Sequence, residues 1–218
     1  MIDGSKIYIL VGCEESQTVC KAFRERGFNA YSCDLLPCSG GEPEWHLQMD
    51  IFKCLKLYYW DLAIFHPECT RLTVAANKYY KPEYAERFPT IHQDREEAVD
   101  FFMRLTRTDI QFTAIENPIG IMSTRYRKPN QVVQPYMFGD AERKGTCLWT
   151  KNLPNLIPTN VVEPEIITHA SGRTDSKLHF ETLKLPKEER RKARSVTFKG
   201  FADAMANQWG DYIIKQLS

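Results

Sequence analysis

A thiol and a carboxyl group stand at two places in this chain where an apolar run breaks into a polar turn. The first is the stretch from Trp60 to Leu72, in which Asp61-Leu-Ala-Ile-Phe65 gives way to His66-Pro-Glu-Cys69. A short apolar run bounded by a proline turn reads as a buried strand, so Cys69 falls just past a strand end. The second is Ala114-Ile-Glu116-Asn117-Pro118-Ile-Gly120, apolar and then a polar turn, with Glu116 at the break. Open α/β sheets bind ligands outside the carboxyl ends of their strands. Delivered to that edge by two strands, Cys69 and Glu116 make a nucleophile and an acid able to share one substrate.

The elements that must position them begin with Lys6 to Val11, a short apolar run that reads as a central parallel strand. Gly12 follows, and Glu15 to Arg26 has helical spacing, with Val19, Ala22 and Phe23 inward and Gly27 as the stop. Asn29 to Asp34 is the next strand and ends in a carboxylate. Strand, glycine turn, helix and acid-ended strand are the parts of a Rossmann-type βαβ unit, in which the acid takes ribose hydroxyls. The alternative is that Asp34 caps a loop and Gly12 only turns the chain. There is no G-x-G-x-x-G, and Glu14-Glu15 would repel a pyrophosphate. A cofactor without phosphates and with a positive centre, as in S-adenosylmethionine, suits these acids better. Asp50 ends a further short segment and is a suitable acceptor for an adenine amino group.

Thr73 to Phe88 is a long polar, aromatic loop whose Tyr79 and Tyr80 either stack on bases or stand idle. Gln93 to Arg107 is an amphipathic helix with Ala98, Phe101, Phe102 and Leu105 on its apolar side, leading back to a strand at Ile110 to Ile115. Beyond Ile121 the pattern weakens. Ser123 to Lys128 is basic, Thr146 to Thr150 reads as a strand, Pro154 to Pro164 is irregular, and Glu165 to Leu183 reads as a mobile loop or excursion. Lys187 to Arg194 is charge-dense, either a phosphate-binding run or a solvated helix face, and Phe201 to Leu217 is a last amphipathic helix. Residues 1–218 thus read as one domain, with 151–199 a variable excursion and 200–217 a helix packing back on the core.

Bulk properties set the frame. With 218 residues, 43% hydrophobic and 26% charged, the chain has the make-up of one soluble globular domain. A formal net charge of +1 supplies no global pull towards nucleic acid or anionic membrane, so any polyanion must be held by local patches. The seven cysteines form no CxxC pair. Met1 to Val11 lacks the apolar core and cleavage site of a signal peptide, and no run approaches a membrane span. The expectation is a cytoplasmic protein without membrane contact, whose thiols are mostly small buried hydrophobes and which has no metal site.

Gly12, Asp34, Asp50, the run Asp61 to Cys69 and Glu116-Asn117-Pro118 come in the order and approximate spacing that resembles the cytosine-C5 DNA methyltransferases. Pro135 to Gly139 and Thr146 to Trp149 look most like segments of the short, phage-borne members of that group. The resemblance covers most of residues 6 to 150. It implies a Rossmann-like methyltransferase fold, with a mixed, mostly parallel sheet, helices on both faces and a reduced or absent target-recognition domain. It further implies that Cys69 adds to C6 of cytosine while a protonated Glu116 hydrogen-bonds the N3 and 4-amino edge. Gly12, Asp34, Asp50 and Pro67 would hold S-adenosylmethionine. Asn117 and Pro118 would shape the turn that aims Glu116 at the base, and Arg125, Arg127 and Arg143 would meet the DNA. A base in duplex DNA would have to be lifted from the stack. For a phage-encoded enzyme the compartment would be the host cytoplasm.

The sequence departs from the family at four points. Glu68 replaces the second proline before Cys69, and a carboxylate there disfavours the thiolate unless it points away or pairs with a cation such as Arg71. The first turn is Gly12-Cys-Glu-Glu15 rather than glycine-rich. The family's Gln-x-Arg-x-Arg strand has no clear match, the nearest cations being Arg143 and Lys144. Roughly fifty residues, Lys151 to Lys199, stand where full-size members carry a recognition domain. These departures keep two further readings open: a cytosine-nucleotide C5-modifying enzyme acting on mononucleotides, and an inactive methyltransferase-like scaffold that binds DNA or cofactor. An amino-methyltransferase fits less well, because Asn117-Pro118-Ile119-Gly120 lacks the aromatic that would stack on a flipped base.

Overall fold

The computed structural model describes residues 3–218; Met1 and Ile2, at the head of the segment read above for a signal peptide, lie outside the described residues. Parallel strands β1 (Tyr8–Gly12), β2 (Asn29–Asp34), β3 (His46–Gln48), β4 (Leu62–Phe65) and β5 (Phe112–Pro118) form most of a seven-stranded sheet. Its order is β3-β2-β1-β4-β5-β7-β6, where β7 (Thr146–Lys151) runs antiparallel to both β5 and β6 (Gln131–Val133). The result is a mixed, mostly parallel α/β sheet of Rossmann-like character.

Alternation along the strands divides the core in two. Ile9, Val11, Leu62, Ile64 and Ala114 point to one face and meet Val19 and Phe23 of α1 (Thr18–Glu25) and Phe201, Met205 and Trp209 of α7 (Lys199–Leu217). Leu10, Ala63, Phe65 and Ile115 point to the other and meet α2 (Ile51–Leu57), α3 (Ile91–Leu105) and Met122 of α4 (Met122–Arg125). Strands buried on both faces need near-continuous apolar runs, which is what β1 and β4 carry. The last helix is pinned by Arg26, whose guanidinium donates to the Ala206 and Asn207 carbonyls and pairs with Asp211 at 2.6 Å.

Several elements differ from the sequence reading for identifiable reasons. α1 starts at Thr18 rather than Glu15 because Glu14 folds back to accept the Val19 and Cys20 N–H groups (2.7 and 3.2 Å) and Gln17 takes a left-handed φ of 61°. Helix α2 has no counterpart in the reading; Asp50 starts it as an N-cap, accepting the Lys53 N–H at 3.0 Å. β5 runs on through Pro118, so Glu116-Asn117-Pro118 is strand and not turn, because β7 pairs antiparallel with those residues. Between Lys151 and α7, the segment read as a mobile loop or excursion forms a hairpin of β8 (Ile166–Thr168) and β9 (Thr174–Ser176) followed by α5 (Lys177–Thr182). The charge-dense run forms α6 (Lys187–Ser195). Among the described residues no helix is long and apolar enough to cross a membrane.

Candidate functional site

Pairing register aligns the strand ends. Gly12 lies opposite Cys33 and Phe65, and Phe65 lies opposite Ile115. One residue further on, Cys13, Asp34, His66 and Glu116 therefore stand in a row along the carboxyl edge. Cys13 and His66 flank the β1/β4 junction, the switch point at which open α/β sheets bind ligands.

The turn that carries Cys69 is fastened to the end of β5 by backbone. Val74 donates to the Ile119 carbonyl at 3.2 Å, Ile121 donates to the Leu72 carbonyl at 2.9 Å, and Thr73 and Gly120 form a β-bridge. Gly120 allows this approach, since a Cβ there would collide with the Leu72 carbonyl. Asn117 is buried, and its Nδ2 donates to the Pro67 carbonyl at 2.8 Å. Asn117 and Pro67, expected at substrate and cofactor respectively, are thus bonded to each other. Pro118 continues the strand beside them, paired with Thr146.

Electrostatics tie Cys69 and Glu116 together. Burial and then the Glu116 charge push the Cys69 thiol up to about 11, with Lys144 opposing and Glu68 adding. Burial also acts to raise the Glu116 carboxyl, but the hydrogen bond and charge of His66, with Lys144 beyond, outweigh it and hold the group below its ordinary value. His66 Nδ1 lies 3.0 Å from Glu116 Oε2. Lys144 donates to the Arg194 carbonyl at 2.9 Å and lines, with Glu116, Thr146, Thr197, Phe198 and Phe201, a cavity of about 10 Å³. That is room for about one water, against roughly 300–1,000 Å³ for sites that take small organic ligands. Glu68 pairs at 3.1 Å with Arg191 of α6 and not with Arg71, which is engaged with Asp94 at 2.7 Å. α6 and the chain that follows it therefore cover the Cys69–Glu116 end of the edge.

The other end of the row is acidic. Burial and then the charges of Asp34 and Asp50 push the Cys13 thiol up to about 12, which places both acids around the turn after β1. Asp34 accepts the Leu36 N–H at 2.9 Å, and burial holds its carboxyl above the ordinary value. Asp34 and Asp50 thus cap local backbone while facing the same turn. Gly12 is bare because Ile51 Cδ1 and Phe65 Cδ1 would come within 2.6 and 2.8 Å of a Cβ there. The N–H groups at the head of α1 already hold the Glu14 carboxylate, leaving no phosphate cradle at that helix start.

The basic residues divide differently from the sequence reading. Arg125 makes a two-pronged pair with Glu96 (2.9 and 2.5 Å). Arg127 donates to Asn130 and to the Lys128 and Thr150 carbonyls. Arg143 is exposed, one residue before Lys144. Tyr79 packs edge-on against Tyr84 and Phe88 within its own loop, and Tyr80 lies 3.2 Å from the Arg95 guanidinium, which ties the loop to α3. Sequence reasoning took His66 for a turn residue and missed its bond to Glu116, fifty positions away. The adjacency of β4 and β5 supplies that contact, and no local pattern encodes it. Lys144 had one signal, its place just ahead of the Thr146 strand. No protein-family model matches the chain, and no curated protein matches it.

Proposed function

We propose that the protein is an S-adenosylmethionine-dependent methyltransferase that modifies C5 of cytosine in DNA through a covalent adduct with Cys69. The observation that carries this reading is the fastening of the Cys69 turn to the end of β5, which carries Glu116, through the Asn117–Pro67 hydrogen bond and the Thr73–Gly120 bridge, on a carboxyl edge that also holds Asp34. A sulfur nucleophile beside a carboxyl group that can face the N3 edge of a pyrimidine is the equipment needed to activate an otherwise unreactive ring carbon.

Cys69, its thiol proton lost to water, attacks C6, and the C5–C6 π pair shifts towards C4–N3, leaving an enamine whose C5 is nucleophilic. Glu116, once protonated, donates to N3 and neutralises the charge that attack creates. Lys144 favours the thiolate at the outset. S-adenosylmethionine, when bound, supplies an electrophilic methyl group. The residues at the β1–β3 ends fit that molecule, for the helix start is blocked to phosphate by Glu14 while Asp34 and Asp50 offer carboxylates to hydroxyl, amino and sulfonium groups. Water takes the C5 proton, the C5–C6 double bond re-forms as the Sγ–C6 bond breaks, and Cys69 leaves as thiolate, freeing the product.

The cavity beside Glu116 and Lys144, about 10 Å³, is smaller than a base, and movement of Thr197 to Phe201, which line it, would open it. The same cover favours small or single-stranded cytosine substrates as the second reading. Tritium release from C5 of duplex DNA, single-stranded DNA and dCMP, each with cofactor, separates them. The proposal predicts release from DNA that Cys69→Ala abolishes and Glu116→Gln cuts by about a hundredfold or more. Release from dCMP alone selects the mononucleotide reading, and release from none of the three removes the enzymatic one.

A further inference from the structure

One polar group on the carboxyl edge has no task in the scheme above. The His66 side chain is only 10% exposed; its Nδ1 meets Glu116, and its Nε2 is buried with no hydrogen-bond partner. It makes the one side-chain hydrogen bond that Glu116 has among the described residues. From the turn after β1, the buried Glu14 faces His66; burial raises its carboxyl above the ordinary value, against the His66 charge and the Val19 and Cys20 N–H groups. Glu116 is faced also by Lys144, from the segment before β7, by Cys69 and by Cys147 of β7. Among the described residues none of these hydrogen-bonds the carboxyl as the ring does.

The methyl-transfer reading needs a proton on Glu116, yet the surroundings keep that carboxyl ionised at rest. We propose that His66 is the positioning residue that lends Glu116 this proton, an inference that rests on the methyl-transfer reading. In the resting pair the imidazolium donates Nδ1–H to the Glu116 carboxylate. When the base arrives, the Nδ1–H bond breaks and an Oε2–H bond forms, leaving a neutral ring and a neutral acid. As the Cys69 Sγ–C6 bond forms and the C5–C6 electron pair enters the ring, the carboxyl proton passes to N3. Expulsion of Cys69 reverses the path and returns the proton through Glu116 to His66. That proton ends where it began; the Cys69 thiol proton leaves to water before attack, the C5 proton leaves to water at elimination, and nothing is oxidised or reduced.

The test compares wild type with His66→Asn, whose amide keeps an N–H near the place of Nδ1 but cannot release it, and with His66→Ala. C5 tritium release and the rate of adduct formation on 5-fluorocytosine DNA are followed against pH, with thermal melting and cofactor calorimetry as controls. In wild type the rise in rate with pH that thiolate formation gives is offset where the pair loses its shared proton, and the profile levels off. His66→Asn melts and binds cofactor as wild type does, reacts about a hundredfold or more slowly, and loses that levelling. His66→Asn with the wild-type rate and profile would reduce the ring to a spacer and overturn the inference while leaving the methyl-transfer reading in place. If His66→Asn fails to fold, a His66→Ala protein that folds and keeps the wild-type profile overturns it equally. Wild type that gives neither tritium release nor adduct would remove both together.

Discussion

A thiol titrating near 11 is about one part in ten thousand thiolate at neutral pH, so Cys69 is not reactive at rest. The residue responsible, after burial itself, is Glu116. Protonating Glu116 therefore does two things at once: it creates the donor for N3 and removes the charge that suppresses the nucleophile. This coupling is open to a direct check by iodoacetamide alkylation of Cys69, resolved from the other cysteines by peptide mass spectrometry. Glu116→Gln moves the alkylation limb to lower pH and speeds the reaction at pH 7, whereas Lys144→Met, which removes the opposing cation, moves it upward. The opposite order would separate Cys69 from the two groups. Cys69 and Glu116 could be read from the sequence because each breaks an apolar run at its polar end. The roles of His66, Glu14 and Arg191 could not, since each depends on a partner brought up by tertiary folding or on a chain reversal that local spacing does not encode.

Two devices hold the site at the scale of elements. The first fastens the Cys69 turn to β5 through the Thr73–Gly120 bridge and the Asn117–Pro67 bond. Gly120→Ala drives a methyl group into the Leu72 carbonyl and should cost about 1–3 kcal/mol by overpacking, measured by denaturant unfolding. Unchanged stability would mean that the two turns are not in contact. The second is α6, joined to the Cys69 turn by Arg191 and Glu68, whose side chains are 54% and 67% exposed. An ion pair so exposed contributes roughly 0–1 kcal/mol. Arg191→Ala should therefore leave the melting temperature nearly unmoved while Cys69 alkylation accelerates as the cover loosens; equal rates would show that α6 does not shield the sulfur. The core strands and the helices α1, α3 and α7 were legible because their apolar periods are long or unbroken. α2 was not, being seven residues long. α5 and the β8–β9 hairpin were not, because they carry few apolar anchors. They are held by polar contacts from a distance, Glu142 accepting the Leu178 N–H and Arg194 bonding Thr182 and His179.

For the molecule as a whole, a mixed sheet with a core on each face presents one carboxyl edge, and the residues with chemical potential collect there. A formal charge of +1 supplies no global pull on phosphate, and Arg125 and Arg191 are held in ion pairs. The central claim is that the Cys69 sulfur bonds to a cytosine ring aligned by Glu116. Its most direct test is to incubate wild type and Cys69→Ala with S-adenosylmethionine and DNA containing 5-fluorocytosine, where the missing C5 proton blocks release, and to look for a complex that survives denaturation. Wild type is expected to give an adduct whose mass maps to the Cys69 peptide, and Cys69→Ala none. An adduct of the same yield with Cys69→Ala, or none with wild type in the presence of cofactor, would contradict that claim.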